Sequence, residues 1–343
     1  MIAPEATRMF AEAADAAAAV ARQLAANRAI VQVLAERLRA EPPPVVLTCA
    51  RGSSDHAATY LKHLVETRVE IPVASVSPSV TSIYGAAPAA RGMLALALSQ
   101  SGRSPDLVSS MGRAAEAGAL TVAMVNDADS PLAARCEQLL PLHAGPETSV
   151  AATKSYIAQL AASLALVAAW SGDTELGRTL AALPDRLAAA WKCDWSSLVD
   201  LLEDARGLYV IGRGPGFGIA QEAALKFKET CGLHAEAFSA AELRHGPMAL
   251  VGADFPVLVV RQPDQSADAT NALVEDLVAR RVRVLVTGPP IAGALALPLP
   301  AACAVTTPIL AIQAFYRAAN ALSVRRGHDP DRPPLLRKVT ETV

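Results

Sequence analysis

Short apolar runs alternate with longer helical segments along this chain, and the alternation occurs twice. Residues 45–49 and 93–98 are the clearest strand candidates of the first series, and each precedes a serine-containing turn and a helical pattern. A second series begins with the apolar run 207–211 and a glycine-rich turn. Buried strands that alternate with helices are typical of parallel sheets covered by helices on both faces. The pattern therefore predicts an α/β protein made of two copies of one αβα sandwich.

The length of 343 residues agrees with this prediction, because one compact core rarely accommodates so long a chain. The tail is polar and rich in proline, which is incompatible with a central helix or strand. The predicted segments are an N-terminal helix over 1–30, a first domain over 31–172, a helical connector over 173–196, a second domain over 197–324 and a tail over 325–343.

Charge and composition exclude several classes of partner. Lysine and arginine number 31 and aspartate and glutamate 33, so no basic field is present to attract nucleic acid or a membrane surface. No apolar run reaches the roughly 18 to 20 residues of a membrane span, and the N-terminus lacks the pattern of a signal peptide. Five cysteines are scattered without the spacing of a zinc site, which predicts reduced thiols in the cytoplasm and no metal.

Two turns of the first series have the same construction. Residues 51–54 read Arg-Gly-Ser-Ser, and residues 99–104 read Ser-Gln-Ser-Gly-Arg-Ser. Each follows a predicted parallel strand and opens a helix, whose free N–H groups and positive dipole end attract an anion. Neither turn has the glycine pattern of an NTP or dinucleotide site. The pair predicts a phosphate site.

Ionisable side chains are concentrated in the second series. Lys226 and Glu229 share a helix face, and His234, Glu236, Glu242 and His245 follow closely. The spacing fits no standard metal site. A solvated charged face and acid–base chemistry with a carboxylate and an imidazole remain the two interpretations.

Taken together, these motifs resemble the sugar isomerase (SIS) domain family, and above all the isomerase half of glucosamine-6-phosphate synthase, which contains two SIS domains. The resemblance extends over nearly the whole chain, including residues 147–154, 224–229, 234–247 and 329–338. It implies two tandem SIS domains of flavodoxin-like or Rossmann-like architecture. It also implies a homodimer that binds a sugar phosphate and needs no cofactor.

The resemblance further implies roles for individual residues. Glu229 moves a proton between C1 and C2, Lys226 lies beside it, and His245 of the neighbouring subunit opens the sugar ring. Lys338 in the tail forms a Schiff base with the open-chain ketose. The implied ligands of phosphate and sugar are Ser99, Gln100, Ser101 and Ser104, together with Gly52, Ser53, Ser54 and the Val150 backbone.

The chain also departs from the synthase. It begins at Met1 without a glutaminase domain, so we expect no glutamine hydrolysis. Arg51 replaces a small cysteine and Arg103 an acid, which predicts extra positive charge at the pocket mouth. The expected activity is deamination of glucosamine 6-phosphate to fructose 6-phosphate. The alternatives are a fructosamine-phosphate deglycase, a galactosamine- or tagatose-phosphate isomerase, and a non-catalytic sugar-phosphate-binding module.

Overall fold

A computed structural model describes residues 2–338 of the chain, which form two compact units. The first unit consists of residues 18–147, 154–181 and 337–338, and the second of residues 2–17, 148–153 and 182–336. This grouping cuts across the predicted segments 1–30 and 325–343. The reason is packing: the Thr7 hydroxyl donates to Asn320 Oδ1 at 2.7 Å, which ties the first residues to the second unit.

The first unit contains the following elements: α2 (Ala16–Ala40), β1 (Val46–Cys49), α3 (Ser53–Arg68), β2 (Val73–Ser75), α4 (Pro78–Ser82), β3 (Leu94–Ser99), α5 (Pro105–Glu116), β4 (Leu120–Val125), α6 (Pro131–Arg135), β5 (Gln138–Pro141), α7 (Lys154–Ser171) and α8 (Thr174–Ala181). Its sheet is entirely parallel in the order β2-β1-β3-β4-β5. The central strand β3 is buried at all six positions, as expected for a strand covered on both faces.

The second unit contains the following elements: α1 (Arg8–Ala14), α9 (Leu183–Ala190), α10 (Ser196–Leu202), β6 (Gly207–Gly212), α11 (Pro215–Cys231), β7 (His234–Ser239), β8 (Val257–Val259), α12 (Ala267–Ala279), β9 (Val284–Thr287), β10 (Leu295–Leu297) and α13 (Thr307–Arg325). Short 3₁₀ helices cover Pro4–Ala6, Glu242–His245 and Pro247–Leu250. Its sheet is also parallel, in the order β10-β9-β8-β6-β7.

The two sheets have the same topology, with β6 to β10 in the places of β1 to β5. The turns that follow β1 and β6 agree closely, because Gly52 (φ 53°, ψ −132°) and Gly214 (φ 51°, ψ −132°) adopt one conformation. A positive φ of this kind is accessible to glycine at little cost. The predicted α/β fold with two copies of one αβα unit is therefore confirmed.

No helix in residues 2–338 is long and apolar enough to cross a membrane.

Candidate functional site

The serine-containing turns of the first unit lie at the carboxyl ends of two neighbouring strands, β1 and β3. Strands β1 and β3 are parallel neighbours, with Cys49 paired to Ala97, so the turns after them come together. In the sheet, β2 lies on one side of β1 and β3 lies on the other, so the order of the strands reverses at β1. Such a reversal of strand order is where open α/β sheets bind ligands. The two predicted phosphate-binding turns are thus at the same place in the fold.

The turn after β3 is held by its own hydroxyl groups. The N–H of Gly102 donates to Ser99 Oγ at 3.0 Å, and the N–H of Arg103 donates to Ser101 Oγ at 3.3 Å. Ser104 then begins α5 without a side-chain cap. The carbonyl of Gln100 accepts from the Asn126 N–H at 3.3 Å, which fixes the turn against the loop after β4. The turn leads into the amino end of α5, a position in a fold that favours anions.

The turn after β1 supplies Gly52, Ser53 and Ser54 at the start of α3. Ser54 is nearly buried, and its hydroxyl accepts from Gln159 Nε2 at 2.9 Å. Gln159 lies in the middle of the apolar helix α7, and its Oε1 is buried without a hydrogen-bond partner in residues 2–338. We did not predict a role for Gln159, although an amide within so apolar a helix is a recognisable signal.

Both arginines at this edge have carboxylate partners. Arg51 donates through Nε (3.0 Å) and Nη2 (2.8 Å) to Oδ2 of Asp106, whose side chain is fully buried. Arg103 Nη2 lies 2.7 Å from Asp127 Oδ2. The predicted extra positive charge of these two residues is therefore offset, because each arginine is paired with a carboxylate. The spacing of Arg51 and Asp106 in sequence gave no indication of this pair.

Lys338 lies beside a buried carboxylate of the first unit. Its Nζ is 3.4 Å from Glu147 Oε2, and Glu147 also accepts from the Ser155 hydroxyl (2.5 Å) and N–H (3.1 Å). Lys338 itself is partly exposed. The rest of the predicted tail, residues 339–343, lies outside the described residues.

Val150 belongs to the second unit, where its N–H donates to the Asp331 carbonyl at 3.4 Å. The Asp331 carboxylate accepts from the N–H groups of Arg8 and Met9, at 2.8 Å each. The segment 148–153 is therefore tied to the first residues of the chain. The implied contact of the Val150 backbone with a sugar stays a prediction.

A buried ion cluster occupies the last three turns of α11. Lys226 Nζ lies 2.6 Å from Glu229 Oε2 and 3.2 Å from Glu222 Oε1, and the Tyr316 hydroxyl donates to Glu222 Oε1 at 2.9 Å. Burial lowers the pKa of Lys226, but the two carboxylates outweigh burial and the pKa is raised. Lys226 is thus an ammonium that holds Glu229, whose side chain is 22% exposed. The cluster connects a fully buried network to one accessible carboxylate.

The structure brings together Lys226 and Glu229, as predicted, and adds two residues that sequence reasoning missed. Glu222 stands at i−4 to Lys226, a spacing that could have indicated it. Tyr316 comes from α13 and gave no sequence signal.

His245 ends a 3₁₀ helix and is exposed, and no hydrogen bond within residues 2–338 joins it to Glu229. Glu236 lies on β7, so the charged stretch after α11 is partly an edge strand and not one cluster.

Comparisons with known proteins agree with this architecture. The family model for the SIS domain matches residues 44–169 and 201–288. The isomerizing glutamine–fructose-6-phosphate aminotransferase of Methanothermobacter thermautotrophicus is 34% identical over 298 residues, which cover 84% of this chain and 50% of that protein. The chain spans about half the length of the curated relatives it matches.

Two solved structures are similar over almost the whole chain. A protein from Silicibacter pomeroyi DSS-3, inferred to be a phosphosugar isomerase, superposes with a TM-score of 0.91 at 41% identity and covers 95% of this chain and 100% of its own. The C-terminal domain of glucosamine-fructose-6-phosphate aminotransferase from Francisella tularensis gives a TM-score of 0.86 at 23% identity, with coverages of 96% and 98%. The second likeness is one of fold alone.

Proposed function

The chain belongs to the SIS domain family, as its motifs predicted, and we propose that it is an enzyme that deaminates an amino-sugar phosphate. The proposed reaction converts glucosamine 6-phosphate and water into fructose 6-phosphate and ammonia. The observation that carries the proposal is the buried network that ends at the accessible carboxylate of Glu229. A module that only binds sugar phosphates would need the serine turns but not this carboxylate.

Proton transfer by Glu229 accounts for the chemistry without an external oxidant. His245 opens the pyranose ring by shuttling a proton, which exposes the C1 aldehyde. Glu229 removes the proton from C2 to give an enolamine and returns a proton to C1, so C1 is reduced as C2 is oxidised. Water then adds to the resulting imine at C2, and ammonia leaves.

In this scheme Lys226 hydrogen-bonds to the base, Glu229, and does not contact the substrate. It donates to one carboxylate oxygen of Glu229, and a carboxylate has a second oxygen that can accept a proton. Glu222 in turn pairs with Lys226, and the Tyr316 hydroxyl donates to Glu222. The geometry favours an oriented Glu229 at the start of the reaction.

Lys338 is proposed to hold the ketose as an imine. Only a neutral amine attacks a carbonyl, so Lys338 must leave Glu147 and lose a proton first. The phosphate is assigned to the turns at 51–54 and 99–104. Unless ammonia is delivered to the site, solvent water is the abundant reactant and the net direction is deamination.

We also propose a homodimer in which each subunit supplies His245 to the other. The support is the exposure of His245 on its own subunit.

Assay of fructose 6-phosphate and ammonia released from glucosamine 6-phosphate tests the proposal. Replacing the base, Glu229→Gln, is expected to lower kcat by about 10²- to 10⁴-fold. Glu236→Gln is the matched control, because Glu236 is an exposed carboxylate on the neighbouring strand β7. Full activity of Glu229→Gln would show that Glu229 is not the catalytic base.

Substrate profiling separates deamination from the related reactions. Galactosamine 6-phosphate and tagatose 6-phosphate test the configuration at C4, and fructosamine phosphates test deglycation. Turnover of one of these in place of glucosamine 6-phosphate would keep the catalytic residues and change the substrate.

A further inference from the structure

A cavity of about 650 Å³ opens in the second unit at the carboxyl ends of three strands. Arg261 and Gln262 follow β8, Thr287 ends β9, and Pro298 follows β10. The size falls within the range of roughly 300 to 1,000 Å³ that is usual for small-molecule sites. Ligands of parallel sheets bind at this edge.

This cavity is not a copy of the phosphate-binding turns of the first unit. The equivalent position, between β6 and β8, is filled by Gln262, which is buried and donates to the Arg213 carbonyl (2.7 Å) and Asp264 Oδ2 (2.9 Å). Asp264 Oδ1 accepts from the N–H and hydroxyl of Ser266, at the start of α12. The chain's own carboxylate therefore takes the place of an external anion there. The open space lies farther along the sheet, beyond β8.

Arg261 is a cation without an acidic partner at the wall of this cavity. Its Nη1 donates to Asn271 Oδ1 at 2.7 Å and its Nη2 to the Pro289 carbonyl, while its N–H donates to Thr287 Oγ1 at 2.9 Å. All three acceptors are neutral. No carboxylate of residues 2–338 is within ion-pair distance of Arg261, and none lines the cavity.

The guanidinium is also partly removed from water. Desolvation lowers the pKa of Arg261, yet an arginine stays charged at neutral pH. A desolvated cation with neutral partners is stabilised by an anion that supplies the missing charge. Hydrogen bonds to neutral acceptors already hold the planar guanidinium of Arg261 in place. Little side-chain entropy is therefore lost when a phosphate or carboxylate binds to it.

The rest of the wall is largely apolar, which limits the chemistry of the occupant. Five residues supply this part of the wall: Pro263, Pro289, Pro298, Leu299 and Pro300. We propose that the cavity binds a small organic anion, whose phosphate or carboxylate pairs with Arg261 and whose apolar body lies against this wall.

This site is separate from the proposed base. Helix α11 begins after the carboxyl end of β6 and ends before the amino end of β7. Glu229, on the last turn of α11, is therefore near the amino ends of the strands, whereas the cavity lies at their carboxyl ends. The organic anion is a second ligand, and the inference does not depend on the proposed deamination.

Calorimetric titration of the full chain with phenyl phosphate and with benzoate tests the inference. Both probes carry a flat apolar body, and they differ in the anion. Arg261→Gln is expected to weaken binding of the tighter probe by about tenfold or more, because a charge-assisted hydrogen bond is lost. The control is Arg283→Gln, which removes an exposed arginine just before β9, at the other edge of the sheet. It should leave binding unchanged.

A second variant fills the cavity without changing charge. Ala302 is a half-buried lining residue, and Ala302→Phe is expected to abolish the binding event that Arg261→Gln weakens, for both probes, while Glu229→Gln leaves that event as in the parent protein. Any binding of phenyl phosphate at the turns of the first unit is a separate event that neither cavity variant changes. Tighter binding of phenyl phosphate identifies an organic phosphate, and tighter binding of benzoate a carboxylate. Binding that is unaffected by Arg261→Gln, or no binding of either probe, would overturn the proposal. Since turnover is not measured, failure of the deamination proposal would leave this result intact.

Discussion

At the scale of single residues, Gly102 is a position in the turn at 99–104, the proposed phosphate site, that does not tolerate a side chain. Its φ is 63°, and a Cβ there would overlap the side chains of Ser130 and Val125. Gly102→Ala should therefore lower the free energy of unfolding by about 1–3 kcal/mol and weaken binding of inorganic phosphate. Chemical denaturation and calorimetry measure the two effects.

Gly92→Ala is the matched control for this prediction. Gly92 has a similar φ of 72° but open space where a Cβ would be added. Its cost should be that of the left-handed conformation alone, about 1–2 kcal/mol, with phosphate binding unchanged. The clash at Gly102 is contradicted if the two variants are equally stable and bind phosphate equally.

Single residues also show where sequence reasoning succeeds and where it ends. The position of the serine hydroxyls at 99–104, between a strand and the start of a helix, was predictable because strand, turn and helix start are local sequence patterns. The pairing of Tyr316 with Glu222 joins positions 94 residues apart, and Arg51 and Asp106 are 55 apart. Such contacts depend on how the helices pack. The chemistry of Glu229 was assigned by family resemblance, and its buried support became visible only in the fold.

At the scale of elements, buried strands were easier to predict than edge strands. β3 and β6 are buried at every position and appear as apolar runs. β7 was missed, because it contains His234 and Glu236 at exposed positions and looks like a charged helix or loop. An edge strand has one face and one side open to water, so polar residues are tolerated there. The apolar run at 295–297 forms the other edge strand, β10, and Pro298 follows directly after it.

The ion pair between Arg51 and Asp106 joins two elements, the turn after β1 and the helix α5. Asp106→Asn removes the buried charge that receives both arginine donors. We expect the free energy of unfolding to fall by about 1–3 kcal/mol. Because the two turns then lose their connection, KM for the amino-sugar phosphate should rise about tenfold while kcat changes little. Steady-state kinetics and denaturation measure both.

Asp127→Asn provides the comparison, since Asp127 pairs with Arg103 at an exposed position. Exposed ion pairs contribute about 1 kcal/mol or less, so a smaller loss of stability is expected. A fall in kcat with unchanged KM in Asp106→Asn would show that the pair acts on the chemical step and not on substrate positioning.

At the scale of the whole molecule, duplication of one sheet topology has produced two units with different polar chemistry. In the first, the place where strand order reverses presents hydroxyls and a helix start. In the second, Gln262 and Asp264 fill that place with the chain's own side chains. The duplication was predictable from the repeated pattern of strands and helices. The difference between the two units was not, because a glutamine after a strand can equally bind a ligand or close a turn.

The proposed homodimer leads to a prediction that uses two inactive variants. If His245 acts on the neighbouring subunit, a dimer of one Glu229→Gln and one His245→Ala subunit contains one site with both groups intact. Random exchange in an equal mixture makes half of the dimers mixed, so activity should recover to about a quarter of that of the parent protein. Mixing Glu229→Gln with Lys226→Ala should restore nothing, because Lys226 and Glu229 are in contact within one chain. Recovery is measured by ammonia release after subunit exchange. Its absence, with exchange confirmed by mass spectrometry of the mixed dimer, would place His245 and Glu229 of each working site in the same subunit.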